Sequence, residues 1–141
     1  MLAVFEGLSP ASRYQRFQSS RPVMSSTMLE HLTAVEAPDR MTHVARLDGR
    51  PVGLIHWIRL PDTSDAEVAC EVVDAAQHRG VGKALLRRAA QSAADSGIVD
   101  FVAILFVGDP QLQRLARELG GVPDHEEAGR FRIPVELAAR L

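Results

Sequence analysis

Cysteine is almost missing from this chain: Cys70 is the one thiol among 141 residues. A single cysteine excludes an internal disulfide and any zinc finger that depends on cysteine ligands. No apolar run approaches the roughly 20 residues of a membrane-spanning helix. The first residues also lack the charged-then-apolar pattern of a secretion signal, so the expected setting is a reducing cytoplasm. Neither sign of charge dominates. Sixteen basic against eighteen acidic residues leave a formal charge of −2, which argues against a general binder of nucleic acid or anionic membrane. The sequence shows no linker, internal repeat, low-complexity segment or clustered set of metal ligands.

Hydrophobic residues make up 46% of the chain and charged residues 24%, the proportions of an ordinary globular protein. The length suits a single domain, residues 1–141, with a real hydrophobic core. Its organising stretch is Gln77-His78-Arg79-Gly80-Val81-Gly82-Lys83. Before it, residues 67–73 are rich in β-branched types and read as a strand. After it, Val81, Leu85, Ala89 and Ala93 recur every four residues and read as the buried face of a helix. The glycines allow a ligand to approach the backbone. The first helical turn offers unpaired N–H groups and the positive end of the helix dipole, and Arg79 and Lys83 add like charge. Together these make an anion cradle, expected to hold a phosphate. It is neither of two common ones. A dinucleotide fingerprint needs glycine at Leu85, and a P-loop needs glycine at Gln77 and a hydroxyl residue at Ala84.

The rest of the chain predicts alternating elements. Ser9-Pro10 opens a helix through Phe17, residues 19–23 form a loop, and Thr27-x-x-Glu30 caps a second helix at about 28–32. Residues 42–47, Asp48-Gly49 and 51–60 form a hairpin on a type I′ turn. His56, midway along its second arm, reads as a packed structural residue. The strand at about 66–74 leads to the cradle and its helix, which stops near Gly97. Residues 98–107 are almost wholly apolar, as in a strand covered on both faces. Asp109 caps a helix at 110–119, Gly120-Gly121 ends it, and 130–135 is a last strand. Residues 1–7 carry too little pattern to assign, and 137–141 fit either a helical turn or a frayed end. The fold class is α/β, with one mixed sheet and helices on both faces.

The pattern Gln77-x-x-Gly80-x-Gly82, with its flanks AEVACEVVDAAQHRGVGKALLRRAA and GDPQLQRLARELGG, resembles the GNAT superfamily of N-acetyltransferases. The opening LSPASRYQRF resembles that family's bacterial protein-lysine acetyltransferase branch. The resemblance implies a sheet whose first edge strand is missing or very short, because almost no residues precede the first helix. It implies acetyl-CoA as cosubstrate, with pantetheine hydrogen-bonded to the strand backbone near Val72 and Val73. The pyrophosphate would rest on Gln77, His78, Arg79, Gly80, Val81, Gly82 and Lys83, and no metal is required. Asp109, where the family commonly has asparagine, joins this cofactor set.

Acetyl transfer to an amine needs a base, because a lysine amine of reference pKa near 10.4 is almost wholly protonated at neutral pH. Glu67 and Glu71 are the candidates, on one face of a regular strand. The resemblance favours Glu67, in AEVA, and leaves Glu71 second. The family often supplies a tyrosine as acid from the helix at 110–119. Ala116 stands at the matching place, and the only tyrosine is Tyr14. Cys70, in apolar surroundings, reads as core. The expected function is direct acetyl transfer from acetyl-CoA to an amine, a protein lysine first. A small-amine acetyltransferase and a non-catalytic acyl-CoA-binding module are the alternatives. Oligomeric state is not legible in the sequence.

Overall fold

The computed structural model describes residues 2–17, 39–105 and 107–141. The loop expected at 19–23 and the helix at 28–32 lie outside the described residues. Among those described, the sheet has six strands in the order β1-β2-β3-β4-β6-β5. They are β1 (Arg40–Leu47), β2 (Arg50–Arg59), β3 (Asp65–Val72), β4 (Asp100–Ile104), β5 (Val122–Pro123) and β6 (Arg130–Pro134). The helices are α1 (Leu2–Glu6), α2 (Pro10–Phe17), α3 (Val81–Asp95), α4 (Pro110–Glu118) and α5 (Val135–Ala138). All neighbouring strands run antiparallel except β3 and β4, the parallel pair that α3 connects.

Local rules account for most of these elements. Asp48 and Gly49 take φ of 49° and 77°, the two left-handed residues that a type I′ turn needs between β1 and β2. Ser9 caps α2 by accepting the Ser12 N–H at 3.2 Å. Asp109 caps α4, its Oδ1 accepting the N–H groups of Gln111 and Leu112 at 3.0 and 3.1 Å. Such a cap contributes about 1 kcal/mol. Gly97 and Gly120, at φ of 75° and 74°, end α3 and α4 in the left-handed conformation usual past a helix C-terminus. The tail folds as the short helix α5.

Residues opposite one another in the register share a face, so the sheet divides cleanly. One face carries Ile55, Trp57, Ala66, Val68, Phe101, Ala103, Phe131 and Ile133. It packs against Leu85, Ala89, Ala90 and Ala93 of α3, Ala116 and Leu119 around α4, and Val135 and Ala138 of α5. This is the main core, and each large side chain fully buried in it contributes about 1.5–3 kcal/mol. Trp57 Nε1 donates to Ser92 Oγ at 3.0 Å, and Ser92 Oγ donates to the Ala89 carbonyl at 2.9 Å. The hydroxyl proton is thus committed, so His43, 2.8 Å from the same oxygen, must donate from Nε2.

The second face carries Leu54, His56, Glu67, Glu71 and Val102. Helices α1 and α2 lie on it at the β2–β3 end. Val4 and Leu8 are buried there, and a Cβ on Gly7 would stand 2.6 Å from Val73 Cγ1. The leading residues thus form a helix, and among the described residues the sheet begins at β1. The apolar stretch 98–107 yields a strand of five residues only. Phe101, Val102 and Ala103 are buried, but Val99, Ile104 and Val107 are exposed. His56 is buried on the second face.

Candidate active site

The site begins where β3 and β4 part. Their ladder has three pairs, Asp65 with Asp100, Ala66 with Phe101 and Glu67 with Val102. Beyond Glu67, β3 runs on to Val72 paired with β2 alone among the described residues. The Val73 N–H donates to the Val52 carbonyl of β2 at 2.9 Å. Since backbone groups alternate edges along a strand, the amides of Cys70 and Val72 turn the other way, towards β4. Among the described residues these N–H groups form an unpaired strand edge, able to accept an extended ligand as an added strand. Val73 itself has both backbone groups engaged, its carbonyl accepting the Ala76 N–H at 2.8 Å. Of the two expected pantetheine partners, Val72 therefore offers its N–H and Val73 does not. The N–H of Cys70, missed from sequence, faces the same edge as that of Val72.

Cys70 is also exposed rather than buried in the core. Apolar neighbours in sequence imply a covered strand, but β4 has diverged before reaching it. The slot is narrow. Crowding by surrounding protein atoms, with the Glu71 charge, pushes the Cys70 thiol up to about 12.

The strand ends in a single 3-10 turn, Asp74–Ala76, and then the cradle. Gln77 Nε2 donates back to the Val72 carbonyl at 3.1 Å. His78 and Gly80 both have left-handed backbones, at φ of 57° and 82°, a curvature that turns successive N–H groups towards one point. Gly80 precedes α3 and provides no side-chain cap, and the first turn of α3 holds no acidic residue. Its N–H groups and dipole are left for an anion. A Cβ on Gly80 would meet no atom within 4 Å, and one on Gly82 would meet only Val72 Cγ2 at 3.9 Å. The space above both glycines is open. The cradle therefore fits a pyrophosphate, and the free edge of β3 fits the amides of a pantetheine arm. Asp109 has one carboxylate oxygen committed to the α4 cap.

The two glutamates share the second face, as alternation predicts, since the β2–β3 register is continuous from Ala66 to Val72. Their surroundings differ. Glu67 is exposed at the last β3–β4 pair, where the strands separate. In the same row across the sheet stand Val102 and Arg132, and Arg132 pairs with Asp65 at 2.5 Å and Asp100 at 3.4 Å. Glu71 is 7% exposed. Its Oε1 accepts from Arg16 Nε at 2.5 Å, while its Oε2 is buried and accepts nothing among the described residues. Burial pushes the Glu71 carboxyl up, and Arg16 pulls it only part of the way back. Ala116, where the resemblance looks for a tyrosine, is buried in the main core. Tyr14 lies on α2, on the other side of the sheet.

The sequence matches the model of the acetyltransferase (GNAT) family over residues 3–120. The chain belongs to the GNAT family. It is an N-acetyltransferase, and its family's chemistry transfers the acetyl group of acetyl-CoA to an amine acceptor. Among solved structures it resembles the GNAT domain of S. lividans PAT, at 27% identity and a TM-score of 0.84, covering 94% of this chain and 81% of that one. It resembles a cAMP-binding acyltransferase from Mycobacterium smegmatis at 26% identity and a TM-score of 0.63, covering 94% of this GNAT chain but 41% of that longer protein. A spermidine N-acetyltransferase from Vibrio cholerae, in complex with CoA and spermine, shares the fold at 17% identity and a TM-score of 0.72, covering 94% and 87%. In this GNAT domain no helix among the described residues is long and apolar enough to cross a membrane.

Proposed function

We propose that this GNAT domain transfers an acetyl group from acetyl-CoA directly to a lysine side chain on a protein surface, with Glu67 as the base. The observation that carries the reading is the position of Glu67. It is exposed on the second face at the point where β3 leaves β4, next to the free strand edge. An acceptor approaching across that face meets the carboxylate before it meets the edge.

The steps balance without a further reactant. Acetyl-CoA lies along Cys70 and Val72 with its pyrophosphate on residues 77–83. Glu67 takes a proton from the acceptor ammonium, directly or through water. The amine lone pair forms the new C–N bond at the thioester carbon, the C–S bond breaks, and the amine's second proton goes to solvent or to the departing sulfur. No hydroxyl stands at Ala116 to protonate that sulfur. A thiol of reference pKa near 8.5 leaves tolerably as its thiolate.

Similarity to the GNAT domain of S. lividans PAT supports a protein acceptor, as does the LSPASRYQRF opening. The spermidine enzyme, at 17% identity, argues only for the fold. Competition kinetics with acetyl-CoA tests the acceptor class, setting lysine-bearing proteins and peptides against a panel of small amines. A protein or peptide lysine should have the highest kcat/KM. A small amine that wins by about 100-fold, roughly 2.7 kcal/mol of transition-state binding, overturns the proposal. Saturable acetyl-CoA binding without turnover of any amine would mean a binding module.

A further inference from the structure

Residues 10–16 of α2 are exposed or half-buried throughout, so little apolar burial fixes this part of the helix. Polar contacts tie it instead. The Ser9 N–H donates to Asp74 Oδ1 at 2.9 Å, Gln77 Nε2 reaches Ser12 Oγ at 3.4 Å, and Arg16 Nε donates to Glu71 Oε1. Positions 9, 12 and 16 follow the spacing of one helical stripe. Their partners are the end of β3, the turn after it and the first residue of the cradle. Gln77 joins the two sides most directly, since the same Nε2 that contacts Ser12 also holds the Val72 carbonyl on the slot's edge.

The strongest contact is also the least expected. A buried ion pair gains little over well-packed apolar residues of similar volume, and losing one partner is what destabilises. Glu71 moreover keeps a buried oxygen without a hydrogen bond, which costs about 1–3 kcal/mol. Stability alone does not account for it. What Arg16 and Glu71 provide is a fixed direction between α2 and the free half of β3. Glu71 lies four residues from Glu67 along the strand, about 13 Å at the usual rise. The pair thus lies well along the strand from the proposed base.

We infer that Arg16 and Glu71 are positioning residues, which lock α2 to the slot's edge so that loading of acyl-CoA sets the wall against which the acceptor binds. The acceptor half of this inference rests on the reading that the acceptor enters over Glu67; the α2 half does not.

The experiment uses the whole chain and the double variant Arg16→Leu/Glu71→Val, which removes both charges together. In the wild type, CoA should slow hydrogen exchange at the α2 amides. The double variant should melt near the wild-type temperature and bind CoA with a Kd within about threefold, yet lose the α2 protection. With a lysine peptide as acceptor, its KM should rise about tenfold or more while kcat changes less, which marks lost positioning. Arg16→Lys, with one donor nitrogen in place of a planar fork, should recover part of that loss. Full α2 protection by CoA in the double variant overturns the inference, and so does an unchanged acceptor KM. A loss confined to kcat overturns it too, by giving Glu71 a part in the chemistry. Should the double variant not fold, Arg16→Met decides in its place, since undiminished α2 protection with wild-type KM refutes the lock. If the wild type turns over no amine, the functional proposal fails, and the exchange measurement still judges the contact between slot and α2.

Discussion

Replacing Gly82 with alanine should raise the stability of the free protein and lower its affinity for acyl-CoA, two effects of opposite sign. Gly82 lies in the first turn of α3 with an ordinary helical backbone, and its new methyl would meet nothing nearer than Val72 Cγ2 at 3.9 Å. The fold therefore has room for it. Gly→Ala at a compatible site stabilises by about 0.4–1 kcal/mol, a rise of a few degrees for a domain of this size. The same methyl enters space that no nearby atom fills, in the helical turn whose N–H groups a pyrophosphate must reach. With acetyl-CoA at 100 times its Kd, the ligand adds about 2.7 kcal/mol of stability. A 100-fold weakening would leave about 0.4 kcal/mol of that. Thermal denaturation with and without acetyl-CoA reads both effects. Gly82→Asp, with a carboxylate as well, should abolish the ligand shift. Gly80 is a poorer probe, because its φ of 82° would strain the fold itself by about 1–2 kcal/mol. An undiminished acetyl-CoA shift in Gly82→Ala and Gly82→Asp would refute the assignment of this loop to the pyrophosphate.

Glu67→Gln should cost about 100-fold in rate at neutral pH, and the loss should shrink as pH approaches the lysine pKa near 10.4, where free amine needs no base; a loss constant with pH would point to misplaced substrate. Cys70 is exposed, but its thiol sits at about 12. Alkylation at pH 8 should therefore run about 10³-fold slower than for an ordinary cysteine and rise about tenfold per pH unit; fast labelling at pH 8 would contradict that environment. Gly121→Ala should destabilise by about 1–3 kcal/mol, since its Cβ would stand 2.5 Å from the Ala116 carbonyl oxygen, and a melting temperature equal to wild type would refute the tight α4 ending.

The elements legible in the sequence are those set by neighbours in the chain. Asp48-Gly49, the Asp109 cap, the glycines that end α3 and α4, and the spacing of Leu85, Ala89 and Ala93 each act within a few residues. So do the cradle glycines. What sequence left hidden depends on separate segments meeting, or failing to meet. Cys70 reads as core because Val68 and Val72 flank it, and nothing local reveals that β4 has turned away. Val73 reads as a slot partner until its N–H is seen to bond Val52 and its carbonyl Ala76. Arg16 and Glu71 are 55 positions apart. The lone signal for that pair was a glutamate inside an apolar strand, which demands a cation from somewhere without naming it.

β3 contributes to the site in three ways, and one register fixes them all. Its side chains alternate, which places Glu67 and Glu71 on the second face. Its amides alternate between edges, which turns Cys70 and Val72 to the slot. Its end delivers the chain into the cradle. A slip of one residue against β2 would carry Glu67 into the main core and push Val68 out, and it would also exchange the amides that face the slot. The slip is forbidden by residues with no part in the chemistry. Ala66 and Val68 lie opposite Arg59 and Trp57, Cys70 lies opposite Ile55, and Trp57 and Ile55 are fully buried against α3. Moving a charged carboxylate into their place would cost several kcal/mol beyond the lost apolar contacts. The placement of the base is thus inherited from the packing of Trp57 and Ile55. Variants that loosen that packing should lower activity while every residue of the site is still present.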